Sequence, residues 1–243
     1  MIFQGYRRRL LLAALLASAI APGAARAQER DGWTIDPSLY VFIPGITGTV
    51  GIGPIDVDLN GASTAIIHIN FAAMGSVRVG YRGWALTTDA MYADLGATKG
   101  DSSGRIEEAI VEPTLSYAVW PWFEPLAGVR YQNVAGSIDG PFGHSRALSQ
   151  GWFDPIVGLR LRFPLSDSVS LGFRGDVGGF GVGSKLTWQI FPYVDWRLAK
   201  ILSLQAGYRA LSVDYENGTG RDRVLYDVVE LGLQFGVTFL FDL

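Results

Sequence analysis

The sequence predicts an all-β chain: a single antiparallel transmembrane β-barrel of about ten strands, within a range of eight to twelve, following a cleaved signal peptide. Three observations predict it. The last strand alternates strictly between apolar and polar residues, the N-terminus carries an export segment, and the remaining apolar residues are spread singly along extended segments instead of forming one long run.

In the last strand Val229, Leu231, Leu233, Phe235, Val237, Phe239 and Phe241 are apolar, while Glu230, Gly232, Gln234, Gly236 and Thr238 are polar or small. A period of two sends these sets to opposite faces. Residues 1–27 read as a signal peptide. Arg7, Arg8 and Arg9 form a basic start, Leu10 to Ile20 an apolar run, and Ala25-Arg26-Ala27 a small-x-small cleavage site. That run is too short to cross a hydrocarbon core, which takes about 20 residues. The Arg8-Arg9 pair has a twin-arginine look, but basic leaders produce such pairs routinely, and a barrel is exported unfolded.

The remaining segment, 28–243, suits one large all-β domain, read as the barrel. Four of the 20 basic residues precede residue 28, so 16 bases face 23 acids beyond it, a balance that argues against nucleic acid as a partner. Cysteine is absent, so there is neither a disulfide framework nor a thiolate metal site, and no cofactor is implied. Hydrophobic residues make up 49% of a chain that also holds 31 glycines. Alternation reconciles the two, because a strand with one apolar face needs apolar residues only at every second position.

Ten segments carry the pattern: 33–43, 71–82, 84–96, 105–119, 122–135, 152–163, 169–179, 185–198, 202–215 and 226–241. Most are long enough to cross a bilayer at a tilt. Connections after the even-numbered segments are short, near Gly83, Pro121, Leu165 to Ser168 and Ala199-Lys200. Those after the odd-numbered segments are longer, at 44–70, 97–104, 136–151, 180–184 and 216–225. Short periplasmic turns opposite longer external loops are the barrel arrangement. Trp33, Tyr81, Trp84, Tyr117, Phe123, Phe163, Trp196, Phe239 and Phe241 fall on the apolar face at the short-turn end, as an interfacial girdle. Tyr92, Tyr131, Phe153, Trp188 and Tyr208 form a looser ring at the other rim.

An internal repeat stands out. Trp122-Phe123-Glu124-Pro125-Leu126-Ala127-Gly128-Val129-Arg130 recurs as Trp152-Phe153-Asp154-Pro155-Ile156-Val157-Gly158-Leu159-Arg160, on neighbouring strands of opposite direction. Each copy places an acid, a glycine and an arginine on the polar face. Repeats of this kind more often report architecture than a specific site.

Glycines indicate which face is inward. Gly80, Gly128, Gly158, Gly172, Gly207, Gly232 and Gly236 share the polar face with arginines. On a solvated exterior they would weaken the strands without compensation, whereas in a narrow lumen they would make room for arginines. The candidate lumen charge network is Arg78, Glu108, Glu112, Glu124, Arg130, Asp154, Arg160, Arg162, Arg174, Asp176, Asp195, Arg197, Arg209 and Glu230, with Asp36, Asp89 and Lys185 on the same face. Charges shielded from water tend to pair, so these residues are expected to interlock across a plugged or very narrow passage.

The order of Gln234, Gly236, Phe239 and Phe241 resembles the C-terminal signal that delivers bacterial outer-membrane barrels to their assembly machinery. The chain resembles the small outer-membrane β-barrel superfamily, which includes OmpA-like and OmpW-like barrels. The resemblance implies an outer-membrane location, with outer-membrane lipids and the barrel-assembly machinery as partners and a small solute as a further candidate. It transfers no functional residue.

Catalytic candidates are sparse. His144 precedes Ser145, but neighbours on an extended chain point apart, whereas a nucleophile and its base lie within about 3 Å. His68 stands alone in the longest connection, in a small helix or strand expected to cap or enter the mouth. Omptin-type outer-membrane proteases also have ten strands, but their pattern pairs aspartates with a histidine at the outer rim, and no such acid pair or Asp-His dipeptide matches here. Gly179 to Lys185 mimics part of a phosphate loop, yet a strand follows where that motif needs a helix. Asp214 to Asp222 is acidic but lacks a calcium-loop spacing. The leading expectation is therefore a non-enzymatic barrel that anchors surface loops or passes small solutes through a narrow charged lumen. A hydrolase of lipid or peptide using His144 or His68, and a carrier of apolar ligands, are the alternatives.

Overall fold

A computed structural model describes residues 32–59, 66–99, 102–139 and 145–243. The expected signal peptide, 1–27, and His144 lie outside these residues. The strands are β1 (Trp33–Ile52), β2 (Ile55–Asp58), β3 (Ile66–Tyr81), β4 (Trp84–Lys99), β5 (Ser102–Tyr117), β6 (Phe123–Asp139), β7 (Ser145–Pro164), β8 (Val169–Gly178), β9 (Leu186–Ala199), β10 (Leu202–Asn217), β11 (Val224–Phe239) and β12 (Phe241–Asp242). Every pairing is antiparallel. The sheet closes where β1 meets β11, from Ser38 opposite Thr238 to Ile52 opposite Val224. Two strands stand outside the ten-strand wall: β2 folds back on the outer end of β1, and β12 continues β11 past Leu240.

Closure satisfies the backbone within the sheet, the condition for crossing lipid with strands. The burial pattern is that of a soluble barrel turned inside out. Leu39, Val41, Leu115, Leu233 and Phe235 face outward and are exposed, while Arg130, Glu112 and Asp154 are completely buried. An exterior of this kind is stable only against hydrocarbon, because each large apolar side chain left in water forfeits about 1.5–3 kcal/mol. The chain is a membrane-spanning barrel. Its short-turn end is periplasmic by the geometry of such barrels.

At that end β3 and β4 join through Arg82 and Gly83, both at positive φ (46° and 83°). Two consecutive positive values make the type I′ hairpin turn, whose twist matches that of the strands. The aromatic girdle is present there. Trp33 stacks on Tyr81 at 4.7 Å between ring centroids, Trp84 contacts Tyr117 at 4.9 Å, and Trp122 stacks near Phe163 at 6.3 Å.

At the other end the strands run on through much of what reads as loop in the sequence. β1 reaches Ile52, β3 starts at Ile66, β4 reaches Lys99, β5 starts at Ser102, and β7 starts at Ser145. His68 therefore sits in the barrel wall, in register with Gly96, and does not belong to a cap or an element entering the mouth. The reason is solvent. Beyond the lipid both faces of a strand are wet, so the apolar alternation stops while the hydrogen-bond ladder continues. The wall is uneven: β8 spans 10 residues where β7 spans 20, and the turn 179–185 fills the step between them.

Candidate functional site in the barrel lumen

Inward-facing residues form three zones. In the middle, Arg130 on β6 bonds the Glu112 carboxylate of β5 through Nε, Thr187 Oγ1 of β9 through Nη1 at 2.7 Å, and Asp176 Oδ1 of β8 through Nη2 at 2.7 Å. Arg174 completes the square, donating to Glu112 Oε2 at 2.8 Å and lying 3.2 Å from Asp176 Oδ2. Arg209 on β10 extends the layer. It donates to Gln189, approaches Tyr40 and Gln234 at 3.4 Å each, and lies 3.8 Å from Asp89, which also accepts a 2.7 Å bond from the Tyr40 hydroxyl. Three arginines and three carboxylates thus form a neutral, dry layer with contributions from eight of the ten wall strands.

Toward the periplasm lies a second, wetter group. Arg78 grips Glu124 with two bonds of 2.9 Å, and Arg160 adds a third at 2.6 Å. Arg162 reaches Asp195 at 3.3 Å, Ser203 donates to the same carboxylate at 2.7 Å, and Arg197 is exposed at the rim. The glycines of this region make room for aromatic rings and neighbouring backbone, not for arginines as expected. A Cβ on Gly172 would stand 2.0 Å from the Tyr193 ring, and one on Gly207 would stand 2.7 Å from both Phe191 and Tyr193.

The outer zone departs furthest from expectation. One inward step beyond the charged layer the lumen turns apolar: Met91 follows Asp89, Leu211 follows Arg209, Phe42 follows Tyr40, and Ile110 precedes Glu112. Trp152 stacks on Tyr215 with centroids 3.9 Å apart and meets Tyr226 at 6.0 Å. Embedded among these groups are Glu108 and Glu230. Gln132 Nε2 donates to Glu108 at 2.6 Å, Tyr226 OH donates to it at 3.0 Å, and Glu230 lies beside both Glu108 and Tyr226. No cation pairs with either carboxylate among the described residues.

The candidates thus fall into three groups. Glu112, Arg130, Arg174, Asp176 and Arg209 are joined in the middle layer; Arg78, Glu124, Arg160, Arg162 and Asp195 lie below it; Glu108 and Glu230 lie above. Asp154 belongs to none of these ion pairs. Its carboxylate accepts bonds from Ser184 N (2.6 Å), Ser184 Oγ (2.7 Å) and Trp152 Nε1 (3.1 Å), which pin the turn 179–185 to the tall edge of β7. Lys185 lies outside the lumen, where it pairs with Glu216 at 2.7 Å. Tyr40, Gln132, Thr187, Gln189 and Tyr226 were missed as neutral residues, although each shares inward parity with the charges on its strand.

On the exposed loop side Arg223 bonds Glu216 at 2.8 Å and Asp56 at 2.7 Å. The hydrogen bonds from Lys185 and Arg223 hold the Glu216 carboxyl down to about 2. Glu216 and, at 3.7 Å from Lys185, Asp214 are therefore already matched with protein cations.

No family model matches the sequence, and no curated protein does. Solved structures do match. The outer membrane protease OmpT from Escherichia coli aligns over 87% of this chain and 97% of its own, with a TM-score of 0.50 and 9% identity. The attachment invasion locus protein Ail of Yersinia pestis aligns over 87% of this chain and 99% of its own, at TM-score 0.42 and 10% identity. An outer membrane channel from Pseudomonas putida F1 aligns over 92% and 100%, at TM-score 0.44 and 10% identity. The similarity to OmpT is one of fold. The fold is that of a bacterial outer-membrane β-barrel, and the apolar exterior puts it in the membrane.

Proposed function

We propose that this protein is a non-enzymatic barrel that holds its protruding strands and loops at the cell surface and does not conduct. The observation that carries this reading is the neutral layer built on Arg130, which has no exposed surface and bonds to three other strands at once. An ion crossing the layer would have to break charge-assisted bonds in a dry environment, where each is costly to lose. Planar-bilayer recording tests it. The refolded wild-type protein should insert silently, and discrete openings sensitive to Arg130→Ala would show a narrow charge-lined channel instead. Delivery by the barrel-assembly machinery through Gln234, Gly236, Phe239 and Phe241 is part of the same proposal; the two phenylalanines face outward and are exposed.

One observation favours a second reading, a carrier of apolar ligands: the aromatic and aliphatic lining of the outer lumen around Trp152 and Tyr215. The seam between β7 and β8 offers only a shallow exterior groove of about 250 Å³ beside Val157, Phe173 and Gly175, and strand pairing beneath it is intact. Such a ligand would enter from the loop end. Saturable binding of a fluorescent apolar probe, weakened by Trp152→Ala, would support this reading.

A further inference from the structure

We propose that Glu108 and Glu230, with the amide oxygen of Gln132 and the hydroxyl of Tyr226, form a binding site for one hard divalent cation of the calcium class in the outer lumen. The two glutamates come from opposite walls, β5 and β11, and meet inside the apolar zone, where neither pairs with a basic side chain among the described residues. Two carboxylates brought together away from bulk water need a positive charge or a proton between them. The neutral layer below reaches Glu230 only through the field of Arg209, which forms no ion pair with it and whose two terminal nitrogens are already engaged with Asp89, Tyr40, Gln189 and Gln234.

A second observation is independent of the acids. Gln132 is completely buried, and its Oε1 has no hydrogen-bond partner. The same amide places Nε2 2.6 Å from Glu108, so the orphan oxygen lies one amide group away from that carboxylate. A buried carbonyl oxygen without a donor costs about 1–3 kcal/mol, and coordination to a cation would recover it. All four groups are oxygen donors, the chemistry of calcium and magnesium rather than of zinc or copper. Two full negative charges match one divalent ion, and two carboxylates capable of bidentate binding, one amide oxygen and one phenol approach the six to eight ligands that calcium takes. Glu108 is only half-buried, which leaves a path from the loop end. Bound there, the ion would clasp β5 and β6 to β11 across the lumen.

The test uses the refolded full barrel with terbium as the probe and calcium as the competitor. Trp152 and Tyr226 pack beside the site and would sensitise terbium emission. The expected result is aromatic-sensitised emission that calcium displaces. Glu108→Gln and Glu230→Gln should each lower the affinity by more than the roughly 10–100-fold typical of losing an outer-sphere partner, with a smaller loss for Gln132→Leu. Glu216→Gln, at the external clasp, should leave the emission unchanged. If either glutamate variant fails to fold, the wild type still decides the matter, because calcium should raise and chelator lower its melting temperature. Absent emission, emission abolished by Glu216→Gln, or a wild-type stability indifferent to calcium would overturn the proposal and leave a shared proton between the two carboxyls. None of these results depends on whether the lumen conducts.

Discussion

Glu124 and Arg160 face each other in register across β6 and β7 and pair at 2.6 Å, whereas Arg130 and Asp154, also opposite each other, form no ion pair. Antiparallel pairing of the repeat sets the acid of each copy against the arginine of the other. The two pairs diverge because of what lies beside them. Arg130 finds two carboxylates in the middle layer, while Asp154 is taken by the backbone and hydroxyl of Ser184.

This divergence predicts unequal costs. Arg130→Met leaves Arg174 as the one arginine between the buried Glu112 and Asp176, and removing one side of a buried ion pair costs about 3–5 kcal/mol. Arg160→Ala removes a partly exposed arginine from a carboxylate that Arg78 still holds with two bonds, so its cost should stay at or below about 1 kcal/mol. Urea unfolding of the folded barrel in detergent micelles measures both, and equal losses would contradict the division into a dry layer and a wetter one.

The Asp154 latch predicts a local effect. Asp154→Ala strands the buried Ser184 N–H and hydroxyl, at about 1–3 kcal/mol for a group left unsatisfied. Protease cleavage should then appear within residues 179–185 while the rest of the barrel stays resistant. Ser184→Ala, which keeps the backbone bond, should give a weaker version of the same pattern.

A pH response is expected at the exposed clasp. The Glu216 carboxyl sits below its ordinary 4.5, at about 2, because Lys185 and Arg223 donate to its charged form. A group with a depressed folded-state value stabilises fully above its unfolded value, and the stabilisation is lost as pH falls through the folded one. The clasp should therefore hold from neutral pH down to about 4.5 and loosen between there and about 2. Hydrogen exchange in residues 218–223 reads this directly, and Glu216→Gln should remove the pH dependence while raising exchange at neutral pH.

Gly172 supplies a packing test. Gly172→Ala would drive a methyl group into the Tyr193 ring, with overpacking that costs about 1–3 kcal/mol. Tyr193→Ala in the same chain should recover most of that loss, giving a coupling that two independent sites would not show.

Period-two alternation determined the all-β fold, the number of wall strands and the inward face of each, because lipid outside and a packed lumen inside demand opposite chemistry from neighbouring residues. The aromatic ends of the strands and the short turns also marked the end of the barrel where the girdle stands. Parity could not say which inward residues meet across a lumen. Glu108 and Glu230 lie on strands separated by three others around the wall, and only the curvature and tilt of the closed sheet bring them together. The apolar outer lumen stayed hidden for a related reason: Leu211, Val213 and Tyr215 share their strand's inward parity with Arg209, and charge marks that face more visibly than hydrophobicity does. Tertiary structure alone decided the reach of the strands beyond the lipid, since solvent on both faces erases the pattern and leaves the backbone ladder to carry the sheet onward.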